Sequence, residues 1–337
     1  MTSIGTIVAA AASFLLTVIF GKVMIPLLRR LKFGQTIRED GPVWHKNKEG
    51  TPTMGGLIFM ISIGAAAVAG YLALTASGWD QGNVQTLAGL FGGLVMAYLF
   101  GLVGFIDDYI KVVKKRNLGL NAKQKLLFQV LITAGYLAVL YAVDPGCTAV
   151  QIPFFGQWDF GWLYFPVMGV LIVGIVNSVN LTDGIDGLLS SITFWVSVFF
   201  MIATSLLGSW YLDMNLLAAA VAGGCVGFLF YNAHPAKVFM GDTGSMFLGG
   251  LVVALAFGID LEFILFLAGF IYCAESLSVI LQVLSVKLRG KRLFRMSPIH
   301  HHFEMGGMGE NRIVFLFSIV TIVMCVIALL AVLPLRG

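Results

Sequence analysis

Ten apolar stretches, separated by short polar breaks, account for most of the chain. A helix crosses a bilayer core with about 20 apolar residues. That length predicts spans over 4–28, 54–74, 87–106, 125–143, 161–179, 187–207, 214–231, 244–258, 262–284 and 313–334. The eighth is the shortest, and only Gly258-Ile-Asp260-Leu parts it from the ninth. The expected fold is an all-α polytopic membrane protein of about ten transmembrane helices, a single integral membrane domain over 1–337. One connection, 144–160, breaks the helical pattern. There Gly and Pro punctuate an aromatic alternation in Val150-Gln-Ile-Pro-Phe-Phe-Gly156-Gln-Trp-Asp-Phe160, which predicts a small outer hairpin.

Composition narrows the class. Of 337 residues, 58% are apolar and 11% charged, with mean hydropathy +0.92. A soluble domain carries roughly 25% charged residues, so a soluble enzyme is excluded. Residues 4–28 run too long for the core of a cleavable signal and lead into Arg29-Arg30, so they read as the first span. Cys147, Cys225, Cys273 and Cys325 are scattered without metal spacing. Three of them fall in apolar spans, where a small buried side chain is their expected use.

Basic residues set the orientation. With ten spans, one side receives 29–53, 107–124, 180–186, 232–243 and 285–312. Together with Lys125, at the edge of the fourth span, these connections hold 19 of the 21 Lys and Arg. Lys22 and Arg336 fall elsewhere. The opposite connections carry Asp80, Asp144, Asp159, Asp213, Asp260 and Glu262. A frame error of one span would destroy this partition. The basic side reads as cytoplasmic and both termini as extracytoplasmic. In the last basic loop, Lys287, Arg289, Lys291, Arg292 and Arg295 interleave with Leu288, Leu293, Phe294 and Met296. This is the pattern of a short interfacial helix, and anchoring to anionic lipid alone would explain it.

Candidate chemistry gathers on that same side. Asp107-Asp108 ends the third span. Adjacent carboxylates repel and are costly near lipid, so a divalent cation or a nearby Lys is expected. The plainer reading is a solvated helix end balanced by Lys111, Lys114 and Lys115. Asn180-Leu-Thr-Asp183-Gly-Ile-Asp186-Gly187 places four polar groups between two spans, where a turn needs one. If helical, Asp183 and Asp186 share a face; the string lacks the closing Glu of an EF-hand. In Asn232-Ala-His234-Pro-Ala-Lys237-Val-Phe239-Met-Gly241-Asp242-Thr-Gly244-Ser245, Asp242 stands where a helix begins. It is either an N-cap or part of a phosphate site at a helix N-terminus. Pro298-Ile-His300-His301-His302-Phe303-Glu304 cannot turn three histidines to one metal from a regular helix. Phosphate or hydroxyl contacts from one or two of them therefore outrank zinc, with a solvated loop as the alternative. Lys46-Asn-Lys48-Glu-Gly50-Thr51-Pro52-Thr53-Met54-Gly55-Gly56 offers Lys48 and Thr53 to a phosphate or sugar, without a Walker A string. All five histidines, His45 and His234 included, lie on this side. Carboxylates beside lysines at a membrane surface point to Mg²⁺ and phosphate.

Taken together, Thr51-Pro-Thr-Met-Gly-Gly56, Phe105-Ile-Asp-Asp-Tyr109, Asn180 to Gly187, Phe239-Met-Gly-Asp-Thr-Gly-Ser245 and the histidine string resemble the polyprenyl-phosphate N-acetylhexosamine-1-phosphate transferase superfamily. The triple histidine points to its phospho-N-acetylmuramoyl-pentapeptide transferase branch. The resemblance implies ten helices with both termini outside, a homodimer, Mg²⁺ dependence and a cytoplasmic site beside a lipid groove near the ninth span. It implies transfer of phospho-MurNAc-pentapeptide from UDP-MurNAc-pentapeptide to undecaprenyl phosphate. The products would be lipid I and UMP, for peptidoglycan synthesis at the bacterial inner membrane, with no nucleic-acid partner. By similarity, Asp242 would bind Mg²⁺, and Asp107 would be the general base with Asp108 supporting it. Asn180 and Asp183 would line the sugar-phosphate region. Lys48, Asp186, Asn232 and Phe239 would hold the uridine end, and Lys111 and Lys123 would meet phosphates. His300 and His301 would border the sugar-peptide side, with His300 among the catalytic groups and His302 among the substrate contacts.

Three rivals compete. A superfamily member using UDP-GlcNAc is opposed by the histidine string. An intramembrane prenyltransferase matches Asn180-x-x-Asp183-x-x-Asp186 superficially and would release pyrophosphate, not UMP. A transporter would place charges near the midplane, often in repeated broken helices. Here Glu275 is the one clearly mid-span ionisable residue, lining a groove or pairing with a backbone group, and no repeat is visible.

Overall fold

The structure, a computed structural model, describes residues 4–31, 50–79, 84–114 and 119–335. Its helices in chain order are α1 (Ile4–Arg30), α2 (Gly56–Ala76), α3 (Gly93–Val113), α4 (Ala122–Val143), α5 (Tyr164–Thr182), α6 (Leu188–Leu207), α7 (Leu212–Asn232), α8 (Gly241–Phe257), α9 (Phe270–Arg289), α10 (Ile299–Glu304) and α11 (Glu310–Val332). Among the described residues, nine helices are long and apolar enough to cross a membrane, all of these but α8 and α10. α8 has 17 residues, a length of about 25 Å. It is nevertheless enclosed, with every residue from Thr243 to Phe257 buried. Packed among α2, α3, α5 and α6, it has protein rather than lipid to match.

α3 and α8 meet through small residues. Gly93, Ala97, Gly101 and Gly104 recur every three or four positions and so share one face of α3. They lie against Ala254, Gly250, Phe247 and the Asp242–Thr243 backbone, in that order. The helices are therefore antiparallel, and small side chains let the two backbones approach closely. Asp107 and Asp108, one turn beyond Gly104, are carried to the start of α8.

The expected hairpin is present: β1 (Ala149–Ile152) pairs antiparallel with β2 (Gly156–Asp159), Val150 opposite Trp158. Three other expectations change. α3 runs on to Val113, so Asp107-Asp108 lie inside a helix instead of ending it. The ninth span begins at Phe270; before it stand a 3-10 turn, Glu262–Ile264, and a single helical turn, Leu265–Ala268, parted from α9 at Gly269. The basic loop forms no separate interfacial helix. Lys287 and Arg289 belong to the last turn of α9, which stops at Gly290 with φ +66°, and the short helix that follows is α10, bearing the histidines.

Candidate active site

Backbone pairing joins the Thr51–Gly56 and Phe239–Ser245 motifs. Phe239 N–H donates to the Pro52 carbonyl (2.8 Å), Gly55 N–H to that of Phe239 (2.8 Å) and Gly56 N–H to that of Met240 (3.0 Å). A side chain on Gly56 would overlap the backbone of Gly244, so it is glycine on both segments that lets the starts of α2 and α8 touch. Thr53 is buried here, its hydroxyl facing Gly241 together with Asp108 Oδ2.

Three carboxylates converge at this end of the bundle. Asp108 Oδ2 accepts from the Thr243 backbone N–H (2.9 Å) and hydroxyl (2.7 Å). Asp107 Oδ1 accepts from Leu120 N–H (2.8 Å), and its other oxygen pairs with Lys111. Asp242 Oδ1 accepts from Asn180 Nδ2 (2.9 Å), while Oδ2 takes both Lys111 Nζ (2.9 Å) and Lys125 Nζ (3.1 Å). Asn180 Nδ2 also donates to Ser245 Oγ (2.7 Å), which locks its amide toward the aspartate. One oxygen from each of Asp107, Asp108 and Asp242 lies within 4.8 Å of the others. Asp183, the residue after α5, sits in the negative field of these groups. Burial, then the charges of Asp242, Asp108 and Asp186, push its carboxyl up to about 8. Asp183 and Asp186 do not share a helical face, because α5 ends at Thr182 and Gly187, with φ +76°, closes a turn.

Lys125 arrives through the start of α4. Asn121 Oδ1 accepts from Gln124 N–H (2.8 Å) and Gln124 Oε1 from Asn121 N–H (3.2 Å), a reciprocal capping box. Asn121→Ala should therefore fray the turn that carries Lys125. The expected cost is about 1 kcal/mol of stability, read as a lower thermal midpoint in detergent, with a parallel fall in turnover. An unchanged midpoint would show that the cap is dispensable.

A second cluster clasps the neighbouring loops. Asp186 Oδ2 accepts from Ala236 N–H (3.0 Å) and meets His234 Nδ1 (3.1 Å); Asp186 N–H donates to Glu310 Oε2 (3.0 Å), which is itself 3.7 Å from His234. Asn232 Oδ1 accepts from Gly187 N–H (3.2 Å) and Asn232 Nδ2 donates to the Val238 carbonyl (3.0 Å), beside half-buried Phe239. His300 is fully buried, Nδ1 3.0 Å from Glu275 Oε1, with its Nε2 edge against Gly184. Glu275 is thus the partner of an α10 histidine, not an isolated mid-span charge. His301 Nδ1 meets Glu304 Oε2 (2.6 Å), and His302 Nδ1 accepts from Arg295 N–H (3.1 Å). The three rings serve different partners, and among the described residues no metal-ligand grouping includes them.

The structure thus brings Asp107, Asp108, Lys111, Asn180 and Asp242 together, places Thr53 and Asp183 beside them, and sets Asp186, Asn232 and Phe239 next to that group. Lys48 lies outside the described residues. Lys123 is exposed on the first turn of α4, and it is Lys125 that reaches Asp242. Sequence reasoning missed Lys125, Thr243, Ser245, Glu275 and Glu310 as site groups. The Asn121-Ala-Lys-Gln124 box was the available signal for Lys125, since it sets the phase of α4.

A family model described as glycosyl transferase family 4 matches residues 90–260, and one described as phospho-N-acetylmuramoyl-pentapeptide-transferase signature 1 matches residues 48–60. A protein of Heliobacterium modesticaldum named phospho-N-acetylmuramoyl-pentapeptide-transferase is 49% identical over 333 residues, covering 98% of this chain and 97% of the relative. Proteins with the same name from Acetivibrio thermocellus and Clostridioides difficile are 46% and 45% identical, covering 95% and 96% of this chain and 93% and 96% of their own lengths.

Proposed function

Because the chain belongs to the phospho-N-acetylmuramoyl-pentapeptide transferase family, we propose a division of labour among its site residues. The enzyme is a multi-pass protein of the bacterial inner membrane. It transfers phospho-MurNAc-pentapeptide from UDP-MurNAc-pentapeptide to undecaprenyl phosphate, giving lipid I and UMP for peptidoglycan synthesis. In this reading the site faces the cytoplasm, both termini lie outside and the enzyme works as a homodimer.

One observation carries the assignment: Asp107, Asp108 and Asp242 converge with Lys111 and Lys125 where motifs far apart in the chain meet. Both substrates are anions, so positioning and charge compensation dominate such a phosphoryl transfer. Lys111 and Lys125 supply positive charge to the phosphates. Carboxylate oxygens at this spacing suit a hard divalent cation. Asp242, flanked by Asp107 and Asp108, would hold Mg²⁺, which when bound screens phosphate repulsion and stabilises the leaving UMP. Asn180 holds Asp242 in place, and the Thr243 N–H and hydroxyl hold Asp108. Asp107 strips a residual proton from the acceptor phosphate or orients it. An acceptor oxygen then attacks the donor phosphorus that bears the sugar, and UMP leaves in the same step. Asp183 lines the sugar-phosphate region. Lys48, Asp186, Asn232 and Phe239 hold the uridine end, Thr53 and Lys123 meet phosphate or sugar, and His300, His301 and His302 border the sugar-peptide side. The polyprenyl tail lies along the lipid-facing side of α9 toward its cytoplasmic end, where Leu277, Ile280, Val283 and Leu284 are exposed.

The test is turnover in detergent with labelled UDP-MurNAc-pentapeptide, polyprenyl phosphate and Mg²⁺, beside the same assay with UDP-GlcNAc. UMP release from the first donor alone is expected. Release from UDP-GlcNAc alone, or of pyrophosphate in place of UMP, overturns the reading. A phosphorylated aspartate trapped without acceptor would replace the single step with two.

A further inference from the structure

A second polar centre lies at the other end of the bundle. Its lining includes Gly89, in the helical turn just before α3, and Phe257, the last residue of α8, so it lies at the opposite ends of these helices from Asp107 and Asp242. From Gly89 to Asp107 is 18 residues of helix, about 27 Å, so the two centres do not overlap. On the orientation proposed above, this one opens outside the cytoplasm.

The centre is a cavity of about 270 Å³. Four acids from separate elements line it: Asp144 after α4, Asp213 in the first turn of α7, and Asp260 and Glu262 between α8 and α9. No Lys, Arg or His lies among the lining residues. Two of the acids have local tasks. Asp144 Oδ1 accepts from Gly146 N–H (2.8 Å), and Asp213 sits where the α7 N-terminus favours negative charge. Glu262 has no such task for Oε2. The residue is 4% exposed, and this oxygen is buried without a hydrogen-bond partner. Burial and the nearby Asp260 charge push the Glu262 carboxyl up to about 8. Two phenols add to the deficit. Tyr164 is a lining residue of the same cavity, and its buried hydroxyl has only the Cys147 thiol, a weak partner, beside it. The buried Tyr136 hydroxyl is likewise unpartnered, its ring edge-on to Phe257 at 6.0 Å.

Buried polar atoms are normally satisfied, and exceptions need a reason. A bare metal ion fits poorly. Among the described residues, the carboxylate groupings tight enough for one ion are the two at the other end of the bundle. Dispersed acids around a roomy space suit a larger cation with spread-out hydrogen-bond donors. Trp210, Tyr211 and Tyr164 are also among the lining residues, and aromatic side chains suit the same guest, since rings attract alkylammonium groups. We propose that this cavity binds a small organic cation with a primary ammonium group, donated to Glu262 Oε2 and the neighbouring phenols.

The full-length protein in amine-free detergent, titrated with putrescine, tests this. A saturable rise in the thermal midpoint is expected, absent with NaCl at equal ionic strength. Glu262→Gln should weaken the apparent affinity at least tenfold while leaving UMP release unchanged, and Asp260→Asn serves as the second variant should the first not fold. Asp242→Asn should keep the putrescine response. The proposal is overturned by no saturable response, by a response unchanged in both cavity variants, by one lost only in Asp242→Asn, or by CaCl₂ saturating the site where putrescine does not. Nanodiscs separate the sources of the ammonium group. Weaker putrescine binding in phosphatidylethanolamine than in phosphatidylglycerol assigns it to a lipid headgroup, and equal binding assigns it to a soluble amine.

Discussion

Asp242→Asn loses at least about a thousandfold in UMP release while the protein keeps its fold. The side chain is nearly isosteric and 21% exposed, so little packing is at stake. Its charge, however, is what gathers the site. Oδ2 accepts from two ammonium groups, Lys111 and Lys125, and Oδ1 from the Asn180 amide. An amide nitrogen at the first position would point donors at two cations, and at the second it would face another amide donor. Either placement releases at least one lysine. Removing one preorganised electrostatic contact costs 10²–10³ in turnover. Here one oxygen serves two lysines and belongs to the set that would hold Mg²⁺, so three decades, about 4 kcal/mol, is the expected scale. Labelled-donor turnover with polyprenyl phosphate and Mg²⁺ measures it, with a thermal scan to show that the variant folds. Equal UMP release from the two proteins would remove Asp242 from both the metal and the chemistry.

Much of this site was legible in the chain because membrane topology is a coarse one-dimensional code. Apolar length set the spans, and the Lys and Arg partition put the three aspartate motifs on one side before any contact was known. What it could not supply was phase. Lys123 and Lys125 stand two positions apart, about 200° around a helix, so only one can face Asp242, and the sequence reading chose the other. By sequence alone the Asp107-Asp108 pair marks the end of a span, because charge ordinarily bounds an apolar stretch. α3 carries it a further turn because Lys111 and the α8 N-terminus satisfy that charge inside the protein. Glu275 read as an isolated mid-span acid because its partner, His300, is 25 residues away in sequence. Contacts of that kind come from packing, and no local pattern announces them.

The packing of α3 on α8 yields the sharpest structural prediction. Gly104→Ala should lower UMP release at least about a hundredfold and also reduce the thermal midpoint. In an exposed helix the same change would stabilise by up to about 1 kcal/mol. Here the added methyl meets the Asp242 carbonyl and, at 2.7 Å, the Thr243 nitrogen. These are backbone atoms and cannot rotate aside. Overpacking of this kind costs typically 1–3 kcal/mol, which outweighs the gain in helix propensity. The relief available is for α3 to move away from α8, and that motion separates Asp107 and Asp108 from Asp242 and breaks the Thr243 bonds to Asp108. A displacement of about 1 Å at a reacting centre costs on the order of 10²-fold. Gly174→Ala on α5 is the control, because a methyl there meets nothing within 4 Å, and it should leave turnover and the midpoint unchanged or slightly raised. If the two variants behave alike, close approach of these helices is not what sets the carboxylates in register, and the alignment must come from the loop pairing between Pro52 and Phe239 instead.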